Sequence, residues 1–171
     1  MINKTVSYYN NADDSKSKIR YNLDYVLGMI RDDQELFQQT VRLRSISTEE
    51  EYKQAKKLLP MIAPSGIFDY RNDNPENLRE YSNVLVLDFD HFQNHHDAGE
   101  FKRNLIDNAD RLYIYALWFS PSGLGVKVAM IHDNTTPMYH NELFRCIREQ
   151  LYPGIPEFDD KCGNLSRTFF L

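Results

Sequence analysis

Asn83-Val-Leu-Val-Leu-Asp-Phe-Asp-His91 is the stretch on which the reading of this chain turns. Its apolar run predicts a buried strand, and it ends by placing two carboxylates on alternate positions. Side chains at i and i+2 of a strand share a face, so Asp88 and Asp90 project together while Phe89 turns to the other side. Two hard oxygen ligands close together suit Mg²⁺ or Mn²⁺, the ions that accompany nucleotide phosphates. A strand-end Asp-x-Asp is as often a loop cap or a solvated edge, so its weight rests on what surrounds it.

Downstream, the pattern predicts a helix over about 97–108, with Phe101 and Leu105 one turn apart, then a strand over 112–119. A turn at Pro121-Ser-Gly123 leads to a strand over 125–132, and Thr136-Pro137 supplies an N-cap and a preset first helical position. The helix that follows runs on Leu143, Phe144, Ile147 and Leu151. Pro153-Gly-Ile-Pro156 is a loop, and Leu165 to Leu171 reads as a last strand. The order β-α-β-β-α-β is that of the split-βαβ or ferredoxin-like fold, which RNA-recognition (RRM) domains share.

Upstream, Asn10-Asn-Ala-Asp-Asp-Ser15 reads as a turn and cap. Ile19, Leu23, Val26, Leu27 and Ile30 then form one stripe of an expected amphipathic helix. A second helix is expected from Ser47 or Thr48, each with Glu three residues on, until Pro60. Met61 to Tyr70 reads as extended chain with a turn at Pro64-Ser-Gly66. The polar loop Asn72-Asp-Asn-Pro-Glu76 then marks a boundary. The expected fold is α+β: an RRM/ferredoxin-like core over 80–171, and a mostly helical N-terminal module over 1–79 that helps to form a cleft.

At 171 residues the chain suits one domain, or a core with a subordinate module. Its longest apolar run, Leu112 to Phe119, is far too short to cross a bilayer, and no charged-then-apolar leader opens it. The expectation is a cytoplasmic protein with no membrane partner. Cys146 and Cys162 make neither a disulfide framework nor a zinc cluster, and are expected reduced and incidental. A net charge of −5 argues against a nonspecific nucleic-acid coat, but not against an enzyme that touches nucleic acid through one groove. Residues 1–82 carry 12 basic and 13 acidic groups and 83–171 carry 8 and 12, so the acidic excess lies with the paired carboxylates. Arg42, Arg44, Lys53, Lys56 and Lys57 are a candidate patch for a phosphate backbone, although solvated helix surface is the commoner explanation.

Two further segments carry chemistry. Ser120-Pro-Ser-Gly-Leu-Gly-Val-Lys127 runs from the turn into the following strand. Small residues let backbone N–H groups approach an anion, hydroxyls add donors, and the Lys offers a point charge for phosphate. A plain hairpin turn with a solvent Lys competes with that reading. The other segment is Phe158-Asp-Asp-Lys-Cys-Gly-Asn-Leu-Ser-Arg167. In this element order a carboxylate here can approach Asp88 and Asp90 and complete a three-carboxylate cage. Asp159 is preferred as that third acid, with Asp160 the alternative. Arg167 could hold a phosphate or pair with one of the acids. Taken alone, a polar turn is the commoner explanation.

Taken together, Leu-Asp-Phe-Asp at 87–90, Ser-Pro-Ser-Gly-Leu-Gly-Val-Lys at 120–127, and Asp159 with Asn164-Leu-Ser-Arg167 resemble the three signature motifs of the archaeo-eukaryotic primase superfamily. The chain is most similar to the primase-polymerase-like N-terminal domain of virulence-associated protein E. The resemblance covers about residues 55–171, since Lys57-Leu-Leu-Pro60 and Ser65-Gly-Ile-Phe68 match its lead-in. It implies a nucleotidyltransferase in which Asp88, Asp90 and the third Asp bind divalent ions, while Ser120, Ser122, Gly123, Gly125 and Lys127 cradle a nucleoside triphosphate. It further implies replication of a mobile element, single-stranded DNA or a primer-template as partner, and a helicase-type ATPase domain C-terminal to this one. Superfamily polymerases usually have His where Lys127 stands. The chain stops at Leu171 inside the last strand pattern, as a fragment of a longer protein would.

Two rivals use the same residues: a noncatalytic nucleotide- or nucleic-acid-binding module preceding a helicase, and a metal-dependent phosphohydrolase or nuclease. Clustered, mutually repelling carboxylates favour an enzyme, and neutralising them is expected to relieve that repulsion. His91, His95 and His96 resemble a metal cluster but are more simply loop residues. Tyr113, Tyr115, Trp118 and Phe119 could stack bases, with sheet core the commoner role. Asp69 and Arg71 could line a cleft.

Overall fold

In a computed structural model, which describes residues 2–16, 18–72 and 74–171, the chain runs β1 (Thr5–Tyr9), β2 (Ile19–Asn22), α1 (Leu23–Asp32), α2 (Gln34–Arg44) and α3 (Glu49–Lys57). It continues through β3 (Met61–Ala63), β4 (Gly66–Phe68), β5 (Leu78–Tyr81), β6 (Val84–Phe89), α4 (His95–Asp107), β7 (Ile114–Phe119), β8 (Val126–Ile131), α5 (His140–Leu151) and β9 (Phe169–Phe170). These elements make a mixed α+β protein with three antiparallel sheets, ordered β2-β1-β3-β9, β4-β5 and β6-β8-β7. Asp73, in the expected boundary loop, lies outside the described residues.

Every residue of β6 is buried, which is why its sequence is a continuous apolar run rather than an alternation. One face carries Phe89, whose ring meets Phe101 of α4 at 4.8 Å, and Tyr152 and Phe158 at 5.2 Å each. Burying one such ring stabilises the fold by about 1.5–3 kcal/mol. The other face carries Asp88, opposite Lys127 of β8, which is in turn opposite Trp118 of β7. Strand register alone therefore aligns an acid, a base and an indole across the three-stranded sheet.

The N-terminal stretch differs from expectation. It is a mixture of short strands and helices, not mostly helical. Ile19 belongs to β2, where its half-burial alternates with exposed Arg20. The helix begins only at Leu23, because the Asn22 side chain accepts the Asp24 N–H and caps it there. β1 escaped notice because its last four residues are all buried, which erases the alternation. α2 also escaped notice, although Asp33 caps it by accepting from the N–H groups of Glu35 and Leu36. α3 starts after Thr48, where the two side chains of the expected capping box bond each other, Thr48 Oγ1 donating to Glu51, and neither caps a backbone N–H.

The last strand is shorter than expected and pairs with β3, so the first sheet takes its fourth strand from the C-terminal segment. At the free edge of β6 stands instead the 157–159 segment. Phe158 bridges antiparallel to Phe89, the Asp159 N–H donates to the Asp88 carbonyl at 2.9 Å, and the Asp90 N–H donates to the Glu157 carbonyl at 2.8 Å. One hydrophobic core extends from Val6 and Leu23 through β6 to Phe169 and Leu171.

Candidate functional site

The three chemistry-bearing segments meet at the end of β6. Asp88 and Asp90 lie on that strand end, Asp159 is stitched to it through the backbone, and the 120–125 turn closes the other side. Gly125 is required there. A Cβ at 125 would come 2.8 Å from Asp90 Oδ1, 2.9 Å from the Phe89 carbonyl and 2.9 Å from Ser120 Oγ. Gly123 has a φ of 75°, a left-handed value that glycine adopts readily. Within the turn, Ser120 Oγ and Ser122 Oγ are 2.9 Å apart and the Leu124 N–H donates to Ser122 Oγ.

Two of the three acids have a cationic partner. Lys127 Nζ donates to Asp88 Oδ2 at 2.6 Å, with side-chain exposures of 6% and 11%, so this is a buried ion pair. The Lys127 ammonium also stands 5.2 Å over the Phe169 ring. Asp88 is therefore balanced by a cation, and the repulsion expected between clustered acids is offset. Asp159 accepts from Arg167 at 2.9 Å, from the Lys161 N–H at 3.0 Å and from Cys162 Sγ at 3.2 Å. Burial pushes the Asp159 carboxyl up, but those hydrogen bonds and the Arg167 charge outweigh it and hold the group below its ordinary value. Burial drives the Cys162 thiol far up, so it stays protonated as a donor. Cys162 is thus no bystander. Asp160 turns away to Arg148 of α5.

The donors fit a hard divalent ion in kind: three carboxylates adjoin, and Asp88 Oδ1 is buried with no hydrogen-bond partner. They are not gathered into a ready cage. Among the described residues no three His, Cys, Asp or Glu side chains group as metal ligands.

Beside Asp90 opens a cleft of about 660 Å³, walled by Arg44, Tyr52 and Lys56 on one side and by Asp90, His95 and Ser122 on the other. Only Asp90 and Ser122 of these were singled out as site residues from sequence. Arg44 Nε donates to the Pro121 carbonyl at 2.8 Å, which ties α2 to the turn. The Tyr52 phenol is buried near Ser122 with no hydrogen bond of good geometry, and burial raises it. Burial, and then the Lys127 charge, lowers Lys56 from the ordinary lysine value, while Asp90 and Asp88 act in the opposite sense. The basic cluster read from sequence is therefore split: Arg44 and Lys56 face this cleft, while Lys53 pairs with Glu49.

Of the histidines, His91 and His95 line this cleft, with His95 contacting the Gly123 carbonyl at 3.2 Å, while His96 is exposed. Of the aromatics on and beside β7, Trp118 is core, whereas Tyr113, Tyr115 and Phe119 are exposed. Arg71 donates to the Ala12 carbonyl and Asp69 pairs with Arg79, so neither lines this cleft.

No curated protein and no solved structure matches the chain. Residues 53–171 match the family described as BT4734-like, N-terminal domain. That span is well over half the chain, starts within α3, and contains Lys56, Asp88, Asp90, the 120–127 segment, Asp159 and Arg167. On this match the chain belongs to the BT4734-like N-terminal domain family.

Proposed function

We propose that this domain binds a nucleoside triphosphate at the end of β6 and serves as a metal-dependent nucleotidyltransferase of primase-polymerase type. The observation that carries the reading is the backbone pairing of 157–159 with β6, which sets Asp159 beside Asp88 and Asp90 and opposite the 120–125 turn. The sheet order β6-β8-β7, with 157–159 on the outer edge of β6, supports an RRM-like core of archaeo-eukaryotic primase kind. Asp88, Asp90 and Asp159 would hold Mg²⁺ or Mn²⁺, which offsets the charge of the phosphates when bound.

The chain's own residues do the rest. Gly123 and Gly125 let the turn close against His95, Arg44 and Asp90, and the Ser120 and Ser122 hydroxyls can donate to phosphate oxygens. Lys127 pairs with Asp88 and holds it in place, and Arg167 does the same for Asp159. In the reaction, a 3′-hydroxyl gives up its proton to solvent as its oxygen bonds to the α-phosphorus, the bond from that phosphorus to the bridging oxygen breaks, and pyrophosphate leaves. Single-stranded DNA or a primer-template, a C-terminal helicase-type ATPase domain, a cytoplasmic setting and a mobile-element role complete the proposal. In keeping with it, no helix of the described residues is long and apolar enough to cross a membrane.

One observation favours a second reading, a nucleotide- or nucleic-acid-binding module without turnover. Lys127 and Arg167 already neutralise two of the three acids. Calorimetric titration with a nonhydrolysable nucleoside triphosphate, with and without Mn²⁺, separates the two. The catalytic reading requires Mn²⁺-dependent binding that Asp90→Asn abolishes. Binding indifferent to Mn²⁺ and to that substitution favours the second, and no binding overturns the catalytic reading and leaves only the nucleic-acid form of the second.

A further inference from the structure

We propose that Lys56 of α3, assisted by Arg44 of α2, receives the phosphates of the ligand entering the cleft beside Asp90, so that the helices before β3 form part of the site. This deepens the nucleotide-binding reading and rests on it for the identity of the ligand.

Lys127, the cation expected from sequence to bind phosphate, is 5% exposed and its ammonium is bonded to Asp88. A phosphate could claim it only by breaking a buried ion pair, which would leave Asp88 uncompensated. The charge available to a ligand has to come from elsewhere. Both Lys56 and Arg44 face the cleft that holds Asp90 and Ser122. Among the described residues neither has a carboxylate within ion-pair distance, and the other acid in the wall, Glu49, is taken by Lys53 at 2.6 Å.

Lys56 is also partly withdrawn from water. Its ammonium stands 5.4 Å over the Phe170 ring, where the Lys127 charge opposes it and Asp90 and Asp88 favour it without coming within ion-pair distance. A half-buried ammonium without a counter-ion gains more from an incoming anion than a solvated one, because part of its desolvation is already complete. Arg44 is positioned in advance: its Nε is fixed on the Pro121 carbonyl, and among the described residues its only other acceptor is the Ser120 carbonyl at 3.5 Å. The rest of the guanidinium fork is left for phosphate oxygens. Two uncompensated cations with the Ser122 hydroxyl across the cleft suit a run of phosphates rather than one.

The test titrates wild type, Lys56→Gln and Lys53→Gln with a nonhydrolysable nucleoside triphosphate, inorganic tripolyphosphate, the nucleoside monophosphate and a single-stranded oligonucleotide. Lys56→Gln is expected to weaken both triphosphate probes by about tenfold or more, the size of one lost charge-assisted contact, and the monophosphate by less. Lys53→Gln, which frees Glu49 in the wall but removes no phosphate contact, should lose less than Lys56→Gln. Thermal unfolding of ligand-free Lys56→Gln at or above the wild-type midpoint would exclude a folding defect as the cause. If wild type binds the nucleotide and Lys56→Gln stays within twofold of it, the inference fails while the nucleotide reading stands. If tripolyphosphate binding depends on Lys56 but Asp90→Asn leaves nucleotide binding with Mn²⁺ unchanged, the inference stands and the metal-dependent reading fails. Loss confined to the oligonucleotide would overturn the inference, reassigning Lys56 to a nucleic-acid backbone.

Discussion

Replacing Lys127 by Met tests the electrostatics of the site without reference to any ligand. The straight apolar side chain keeps most of the volume between Asp88 and Trp118 but removes the charge. Asp88 would then be a buried carboxylate whose Oδ2 has lost its 2.6 Å donor and whose Oδ1 already has none. With side-chain exposures of 6% and 11%, solvent screens the pair little. Breaking a buried pair from one side costs about 3–5 kcal/mol. For a chain of this length, each kcal/mol lowers the melting midpoint by about 2–4 °C, so Lys127→Met should melt roughly 6–20 °C below wild type. The double variant Asp88→Asn with Lys127→Met removes both charges and should recover most of that loss. Asp88→Asn alone strands the lysine and is destabilising, contrary to the relief expected from two neighbouring acids. Thermal and urea unfolding of the four proteins closes the cycle. A Lys127→Met loss below about 1 kcal/mol, or a double variant that loses the sum of the singles, would refute the buried-pair argument.

Burial, and then the His132 charge, holds the His140 imidazole down to about 4 from its ordinary 6.5. The unfolded chain therefore takes up a proton that the folded one refuses, so stability is full above pH 6.5 and falls as pH drops toward 4, by on the order of 3 kcal/mol. Urea midpoints measured across that window should fall for wild type and flatten for His140→Gln, and a flat wild-type profile would contradict the assignment. Gly125→Ala forces a methyl against Asp90 and the Phe89 carbonyl, and should cost about 1–3 kcal/mol while displacing Asp90. Wild-type stability with wild-type nucleotide binding would show that the turn is not packed as described.

The legible parts of the chain were those whose local signals agreed with their tertiary surroundings. β6, α4, β7, β8 and α5 lie within a few residues of where periodicity, caps and turns put them, because each is flanked by a strong turn or cap and packs one clear face. β1 and β2 were hidden for opposite reasons. The first is buried on both faces and shows no alternation, while the second borrows Ile19 from what looks like a helical stripe. β9 was misjudged because strand pairing depends on which edge is free, and β3 offers one that no local pattern announces. At the site, element order placed the C-terminal strand beside β6, but β9 pairs with β3 and it is the 157–159 segment before it that brings Asp159 to Asp88. The pairing of Lys127 with Asp88 is a cross-strand register fact, invisible until β6 and β8 are aligned. Arg44, Lys56 and Cys162 could not be placed at the site, since each reaches it only through helix packing or a tight turn.

The most direct test of the central claim is a crystal soaked with Mn²⁺ and a nonhydrolysable nucleoside triphosphate, with data collected for anomalous scattering from manganese. The account predicts a manganese peak bounded by Asp88, Asp90 and Asp159, with the phosphates against the 120–125 turn. A well-ordered nucleotide bound elsewhere on the molecule, or bound here with no manganese at those acids, would contradict it.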